Sequence, residues 1–347
     1  MQIRVGVIFG GMSEEYEVSL SSAAAVLAAL EGEEYAVVRV GITRAGEWYV
    51  TEAGCGEIAA DRWTAGAARA FFSPAPGEGL YLWNDGRPTR VPLDLLFPVM
   101  HGACGEDGKM AALGALGGLP VVGCGTEAGA LCMNKILAKR IAAAAGIPTL
   151  PHVALCAAAG VEENCRVLEA ALPYPVFCKP ARGGSSIGAA VIRDHAAAAA
   201  HLAAAAGQAD PLLLAEPYTP AREIEIALLE RDGVTEISPP GEILPPPHDF
   251  YSYAAKYEGG GARLCAPADL PAETARALRE AAGVLFSAFG CRGLARMDFF
   301  LLPDGRFYFN ECNTMPGFTP ISMYPRLLTL GRSFPALLSC LIREALR

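Results

Sequence analysis

Short apolar runs alternate with longer, alanine-rich stretches through the first third of the chain. The runs of strand length are Arg4–Phe9, Tyr35–Ile42 and Leu93–Pro98, and the helical stretches are Glu17–Leu30 and Gly108–Leu116. Strands that alternate with helices predict a mostly parallel sheet with helices on its faces. The stretch 55–90 is richer in glycine, proline and charge, so we expect a peripheral insertion or hairpin there.

The later pattern predicts two further units. Between residues 126 and 215, strands at Val153–Cys156, Pro175–Lys179 and Ala189–Ile192 are separated by helices, the first of which ends near Ala145. Residues 216–347 contain a strand at Glu223–Leu229, a hairpin and a C-terminal helix. The segment 239–265 has no clear periodicity, and a loop this long in a compact enzyme is often a lid. We therefore expect domains at 1–125, 126–215 and 216–347.

Composition narrows the class of protein. A chain of 347 residues that is 52% hydrophobic and 19% charged is long enough for roughly two or three compact domains. The net charge of -9 argues against general nucleic-acid binding, and no apolar run approaches the roughly 20 residues of a membrane span. Eleven cysteines without a CxxC pair indicate reduced thiols in the cytoplasm and argue against a zinc site.

The hairpin near the end of the chain has a predictable register. Two runs rich in phenylalanine, leucine and tyrosine flank Asp304-Gly305, a dipeptide favoured in two-residue hairpin loops. Positions symmetric about this turn face one another, so Asp298 lies opposite Glu311 and Arg296 lies opposite Asn313. Because side chains alternate along a strand, all four project from one face.

The opposed carboxylates indicate a metal site. Asp298 and Glu311 would repel each other by up to about 1 kcal/mol, which suggests a cation between them. Oxygen ligands without histidine or cysteine are typical of magnesium. The alternative is a solvated polar face in which a one-residue bulge separates the two acids.

Other polar segments are candidate ligand sites, each with an ordinary structural alternative. Lys179 precedes a turn containing Gly183, Gly184, Ser185 and Ser186, which predicts a phosphate-binding loop, although many β-turns have this composition. Lys135 lies on a helix of low charge, and Glu216 and Glu223 lie at strand ends around Tyr218, where they would bind a nucleotide or be solvated. Glu15 and His101 follow strands of the first sheet, at the edge where open α/β sheets bind ligands. Lys256 and Tyr257 lie in the long loop, where they would close over phosphate or remain ordinary loop residues.

In their order along the chain, these segments resemble the D-alanine:D-alanine ligases of the ATP-grasp superfamily over nearly the whole length. The matching motifs are Gly10-Gly11 with Glu15–Ser19, His101-Gly102 with Gly105–Gly108, Lys179-Pro180 with Gly184–Ser186, Tyr253 with Lys256-Tyr257, Arg296 with Asp298, and Glu311 with Asn313-Thr314 and Pro316-Gly317. Asn134 departs from the family, in which aspartate is common at this position.

The resemblance implies a three-domain ATP-grasp enzyme whose N-terminal domain is Rossmann-like with a parallel sheet. It also implies a cytoplasmic homodimer that uses ATP and two Mg²⁺ (or Mn²⁺) ions and has no nucleic-acid or membrane partner. The reaction would join two D-alanines through an acyl phosphate for peptidoglycan precursor synthesis. Nucleotide-binding residues would be Lys135, Lys179, Ser185, Ser186, Glu216, Tyr218, Glu223 and Lys256, and metal ligands would be Asp298, Glu311 and Asn313.

The resemblance further implies roles around the reacting atoms. Glu15 would pair with the first substrate's ammonium in a group with Ser185 and Tyr257, while Arg296 and the amide of Gly317 would stabilise the oxyanion. Four residues would contact the substrates: Lys256 the γ-phosphate, His101 the first D-alanine, Ser322 the carboxylate of the second D-alanine, and Met323 the pocket of that second substrate.

Tyr257 and Met323 favour D-alanine as the second substrate. Relatives that form D-alanyl-D-lactate tend to have histidine at the position of Tyr257, and variant ligases often have arginine at that of Met323. Ligation to D-serine or D-lactate remains an alternative, as does a non-catalytic nucleotide-binding protein.

Overall fold

The computed structural model describes residues 2–32, 34–185, 187–208, 210–244, 263–319 and 321–347. The predictions for Ser186, Lys256 and Tyr257, and most of the expected lid, lie outside these residues. The strands are β1 Ile3–Gly10, β2 Tyr35–Ile42, β3 Trp48–Thr51, β4 Ala68–Ser73, β5 Gly79–Asn84, β6 Arg87–Val91, β7 Leu95–Pro98, β8 Val153–Cys156, β9 Val176–Pro180, β10 Ala190–Ile192, β11 Leu212–Pro217, β12 Arg222–Arg231, β13 Val234–Ile237, β14 Gly241–Leu244, β15 Arg263–Cys265, β16 Leu294–Leu301 and β17 Phe307–Asn313. The helices are α1 Tyr16–Leu30, α2 Cys55–Ala59, α3 Lys109–Gly117, α4 Thr126–Met133, α5 Lys135–Ala144, α6 Val161–Ala171, α7 His195–Ala205, α8 Ala272–Ala288, α9 Met323–Leu328 and α10 Phe334–Ala345.

The first sheet combines a parallel centre with an antiparallel extension. Its strand order is β6-β5-β4-β3-β2-β1-β7, and β1 pairs in parallel with both β2 and β7. The prediction of a mostly parallel sheet is wrong for the remaining pairs, because β2 through β6 form an antiparallel meander. The glycine- and proline-rich stretch 55–90 supplies α2 and β4 to β6, as an insertion that lengthens the sheet.

Two antiparallel sheets follow. The second sheet has the order β10-β9-β11-β8, and the third has the order β15-β14-β12-β16-β17, with β13 paired to β12. The two ends of the expected lid are strands, since β14 pairs with β15 across the segment that the structure does not describe. None of the helices in the described ranges is long and apolar enough to cross a membrane.

The helix predicted to end near Ala145 is preceded by a second helix in the structure, so this region forms α4 and α5. The chain turns at Asn134, whose extended backbone ends α4 and whose side-chain oxygen accepts hydrogen bonds from the amides of Ile136 (3.1 Å) and Leu137 (3.3 Å). Asparagine and aspartate are comparable N-caps, which explains why asparagine suits this position. Both helices pack against β17 of the third sheet.

A shared hydrophobic core cluster joins the first and third sheets, whereas the second sheet has a core cluster of its own. One core cluster contains residues of β1, α1 and β7 together with residues of α9 and α10, and the rings of Phe97 and Phe318 meet edge-on at 5.8 Å. The phenol of Tyr35 donates to Ser339 across the same boundary at 2.9 Å. The second sheet has its own core cluster, whose buried members all lie between Leu155 and Ala215.

The predicted hairpin register is confirmed at the end of the hairpin far from the turn, although the turn itself differs from the prediction. Arg296 pairs with Asn313 and Asp298 pairs with Glu311. Nearer the turn the register is offset by one residue, with Leu301 opposite Phe307, and a bulge between Asp298 and Phe299 removes the offset. The predicted two-residue loop is therefore wrong. A longer loop and a bulge compensate for each other, and the bulge does not separate the acids.

Candidate active site

A cleft lies between the second and third sheets, and most of the predicted polar residues line it. The second sheet contributes Lys179 and Glu216, and the third contributes Glu223, Asp298 and Glu311. The loop at Gly183–Ser185, Lys135 at the start of α5, and Tyr218 also line the cleft. Strands of two sheets thus bring together side chains that are more than 100 residues apart in the sequence.

Two lysines hold Glu216 at the base of the cleft. Its carboxylate lies 2.8 Å from the ammonium of Lys179 and 2.6 Å from that of Lys139, and Lys179 also donates to the Asn310 side chain at 2.9 Å. Burial raises the pKa of Glu216, but the charges of Lys179 and Lys139 outweigh it and lower the pKa to about 2. Glu216 is therefore a fixed carboxylate.

Lys139, Asn310 and Glu225 are site residues that the sequence interpretation missed. Lys139 follows Lys135 by four residues, which puts both on one side of α5, and its position in the sequence could have indicated it. Glu225 follows Glu223 by two residues and shares its face of β12. Asn310 is the extra residue of the β17 bulge, and no pattern in the sequence identified that bulge.

The opposed carboxylates are balanced by cations of the protein. Arg296 donates to both oxygens of Asp298 at 2.8 Å, and Asn313 donates to Asp298 at 2.9 Å. Lys135 lies 3.2 Å from Glu311 and donates to the carbonyl of Gly183 at 2.7 Å. Repulsion between the two acids is therefore relieved without an ion, so the facing carboxylates alone do not require a metal.

The donor set nevertheless fits magnesium. Five carboxylates line the cleft, against two lysines and one arginine among the described residues. This excess of negative charge suits divalent cations. Asp298, Glu311 and Asn313 offer only oxygen ligands on one face of the hairpin, as Mg²⁺ prefers.

Glu15 connects the first unit to the glycine-rich loop. The hydroxyl of Ser185 donates to the Glu15 carboxylate, and the backbone amide of Glu15 donates to Ser13 at 3.1 Å. Glycines permit this approach, because a Cβ atom at Gly184 would lie 2.6 Å from the Glu15 carboxylate and one at Gly102 would lie 2.8 Å from it. The serine of the loop and the acid that follows β1 therefore meet as expected.

His101 is buried beside Glu106. One ring nitrogen lies 3.2 Å from the carbonyl of Met315 and 3.6 Å from the Glu106 carboxylate, and the other lies 3.1 Å from the hydroxyl of Ser22. Burial lowers the pKa of His101, but Glu106 raises it more, so the net pKa lies above the ordinary value. This packing fixes the ring at the edge of the pocket that contains Glu15.

The segment after β17 positions the last predicted residues. Ser322 accepts a hydrogen bond from the amide of Thr319 at 3.2 Å, and a Cβ atom at Gly317 would lie 2.7 Å from the Ser322 hydroxyl. Met323 differs from the expectation of a substrate contact, because it is buried in the core and its sulfur lies against Gly241. Any effect of Met323 on the pocket is therefore exerted through packing in this structure.

Comparison with known proteins gives matches over nearly the whole chain. The family models described as D-ala D-ala ligase N-terminus and C-terminus match residues 4–124 and 141–343. A D-alanine--D-alanine ligase of Caldicellulosiruptor bescii is 39% identical over 354 residues, which cover 99% of this chain and 95% of that protein.

Solved structures are similar over the same length. The VanG D-Ala:D-Ser ligase from Enterococcus faecalis is 34% identical, with a TM-score of 0.87 and coverage of 99% of this chain and 100% of its own. The D-alanine-D-alanine ligase from Coxiella burnetii is 30% identical, with a TM-score of 0.82 and coverage of 99% and 94%.

Proposed function

The chain belongs to the D-alanine:D-alanine ligase family, and from this membership we propose that it uses ATP to join two D-alanines into D-alanyl-D-alanine for peptidoglycan precursor synthesis. The resemblance found in the sequence is confirmed, as is the α/β ATP-grasp fold class. One observation supports the reaction most directly. The nucleotide cleft and the pocket that contains Glu15 adjoin, with Lys135, Ser185, Arg296 and Glu311 lining both.

The cleft supports nucleotide binding by named groups. Lys135 and Lys179 would neutralise the α- and β-phosphates, and Ser185 with the amides of its loop would donate hydrogen bonds to them. Glu216 and Tyr218 would lie along the adenine, and Glu223 would accept from the ribose. The Glu216 carboxylate already forms ion pairs with Lys139 and Lys179. It would therefore accept a hydrogen bond from the adenine amino group only in addition to these ion pairs.

Asp298, Glu311 and Asn313 would hold two magnesium ions. Bound there, the ions would supply positive charge that neutralises the phosphates, which would favour attack by the substrate carboxylate. Metal binding would release Lys135 from Glu311 toward the phosphates, since both compete for that carboxylate.

The adjoining pocket supports substrate binding. Glu15 would pair with the ammonium of the first D-alanine, held in place by Ser185, with His101 nearby. The first D-alanine's carboxylate would attack the γ-phosphate, and the second D-alanine's amine would then attack the acyl phosphate and expel phosphate. Arg296, partly buried and fixed by Asp298, would stabilise the oxyanion with the amide of Gly317, and Ser322 would hold the second carboxylate.

We extend the proposal to the organisation of the protein. The three domains would be 1–125, 126–215 and 216–347, and the active form would be a homodimer. A reaction that consumes ATP would take place in the cytoplasm, where the eleven free cysteines would remain reduced.

Phosphate release tests the choice of second substrate. With ATP and Mg²⁺, we expect turnover with D-alanine alone, and chromatography of the product should give D-alanyl-D-alanine. The alternative is a D-alanine:D-serine ligase, favoured by the similarity to VanG at 34% identity. Little turnover with D-alanine alone and strong turnover on adding D-serine or D-lactate would overturn the proposal.

Replacing Glu311 by glutamine tests catalysis by the metal site. The E311Q variant keeps the shape of the side chain but loses the charge, so we expect turnover to be abolished. Glu273→Gln, at an exposed position of α8, is the matched control and should retain activity. Turnover of E311Q near the wild-type rate would refute the metal assignment.

A further inference from the structure

Three buried cysteine thiols come together behind the hairpin. Cys132 lies near the end of α4, Cys312 lies on β17, and Cys291 follows α8. Their sulfur atoms all lie within 4.8 Å of one another, and all three residues are buried. No spacing in the sequence indicates this cluster, because its members are separated by 21 to 180 residues and the fold alone unites them.

The spacing is close to that of a thiolate metal site. Tetrahedral zinc has Zn–S bonds of about 2.3 Å, so sulfur ligands lie about 3.8 Å apart. Sulfur atoms within 4.8 Å of one another would reach this spacing by movements of about 1 Å or less, within the range of side-chain rotation. No disulfide joins any of these cysteines, so all three sulfurs are open to ligation.

The ligand type selects a soft cation over magnesium. The cluster contains no carboxylate and no imidazole, and thiolates favour zinc or copper(I) over magnesium. Three thiolates leave one net negative charge around Zn²⁺ and two around Cu⁺. Burial penalises the larger charge more, so the apolar surroundings favour zinc.

Cys124 offers a fourth ligand. It is buried in the same core cluster, and its thiol donates to the carbonyl oxygens of Leu294 (3.2 Å) and Arg292 (3.4 Å), next to Cys291. Rotation of its side chain would turn the sulfur from these carbonyls toward the cluster. Four cysteine ligands form a closed structural zinc site.

The cluster lies next to a pocket of the active site. Cys132 and Cys312 are both among the residues that line the pocket containing Glu15 and His101. Their side chains belong to the buried core cluster behind the hairpin. Since Cys312 lies between Glu311 and Asn313, an ion bound there would also fix the strand that carries these residues.

We propose that Cys132, Cys291 and Cys312 form a zinc-binding site, with Cys124 as a fourth ligand, that stabilises the hairpin from behind. Binding transfers the thiol protons to solvent and forms zinc–sulfur bonds. The proposal departs from the expectation drawn from the missing CxxC pair, and it does not depend on the ligase reaction.

Metal binding to the reduced full-length protein tests the site. The protein would be stripped with a chelator and titrated with Zn²⁺, and separately with Co²⁺ as a spectroscopic probe, in excess Mg²⁺. We expect one tightly bound Zn²⁺ per chain, a sulfur-to-cobalt charge-transfer band and a higher thermal midpoint with zinc. Cys291→Ala should weaken zinc affinity on the order of 100-fold. Cys165→Ala, a buried thiol in the second sheet's core, is the control and should leave affinity unchanged.

X-ray absorption at the zinc edge tests the ligands in the unmutated protein, so the proposal remains falsifiable if a variant fails to fold. A ligand shell of three or four sulfur atoms would support the site. A shell of oxygen and nitrogen, the absence of the cobalt band, or equal zinc affinity of the C291A variant and the wild type would overturn it, and the thiols would then serve only as core packing.

Discussion

Replacing Lys139 by methionine tests how the nucleotide cleft holds Glu216. Methionine keeps an unbranched side chain of similar length but removes one of the two cations that hold the carboxylate. Lys139 is fully buried, and its ammonium lies 2.6 Å from Glu216. Lys179 remains at 2.8 Å on the other oxygen, so the carboxylate would keep one partner.

The magnitude follows from the pKa of Glu216. A fall from the ordinary value of 4.5 to about 2 corresponds to about 3 kcal/mol of stability at neutral pH. Because the two lysines lie at similar distances, we assign about half of this to Lys139 and expect the free energy of unfolding to fall by about 1 to 2 kcal/mol. Burial lowers the pKa of Lys139 despite Glu216, so the substitution also relieves a desolvation cost. The loss should therefore stay below about 3 to 5 kcal/mol, which is the destabilisation caused by removing one partner of an isolated buried ion pair.

The pH dependence has a definite sign. Since the folded-state pKa of Glu216 is lowered, its stabilising contribution is complete above 4.5 and is lost as the pH falls toward about 2. Without Lys139 the pKa of Glu216 should rise, so the same loss should begin at a higher pH. Once Glu216 is protonated in both proteins, the difference in stability should vanish or reverse, because wild type then buries an ammonium whose neighbouring carboxyl group is neutral and whose remaining acceptor is the carbonyl of Phe309.

Urea unfolding of both proteins at neutral pH and at pH values down to about 2, where wild-type Glu216 takes up its proton, measures these differences. Lys109→Met, in which an exposed lysine paired with Asp107 is replaced, is the matched control and should change stability by less than about 0.5 kcal/mol. The KM for ATP should rise in K139M and not in K109M, because only Lys139 positions a residue of the cleft. Equal unfolding free energies for the two variants at neutral pH would refute the reasoning.

Two further substitutions test local features of the site. Asn134→Ala should lower stability by about 1 kcal/mol through loss of the N-cap of α5, whereas Asn134→Asp should retain it; urea unfolding would contradict this if both variants lost the same amount. Gly184→Ala should reduce turnover by about 100-fold, because the new methyl group would lie 2.6 Å from the Glu15 carboxylate and displace the loop. Gly207→Ala, where a Cβ atom meets nothing within 4 Å, is its control in the same phosphate-release assay, and equal rates would contradict the close approach.

The hairpin illustrates how far sequence could predict this site. Alternation along the two strands correctly placed Asp298 and Glu311 on one face, because the period of two depends only on the backbone. The loop length and the bulge at Asn310 could not be predicted, since no local pattern marks either of them and the partner of Asn310 is Lys179, on a strand of another sheet. The longer loop shifts the register by one residue and the bulge shifts it back. Asp298 therefore pairs with Glu311 as predicted, although the predicted turn was wrong.

The buried charges and thiols were less predictable. In the sequence, nothing distinguishes Lys139 from an ordinary helical lysine. Its partner Glu216 lies on β11 of the second sheet. Burial of both is decided by how α5 packs against β17, which local pattern does not encode. Cys132, Cys291 and Cys312 come from three separate elements, so no spacing rule could unite them. In contrast, Glu15 and Ser185 were brought together in the sequence analysis only by the resemblance to a family.

The separate core of the second sheet has a consequence for the way the protein melts. The first and third sheets share a core cluster and should unfold as one cooperative block, whereas the second sheet has enough buried apolar surface of its own to unfold in a second step. A nucleotide that contacts both Lys179 and the hairpin would join the two blocks. Calorimetry of the ligand-free protein should therefore resolve two overlapping transitions, and a non-hydrolysable ATP analogue should merge them into one.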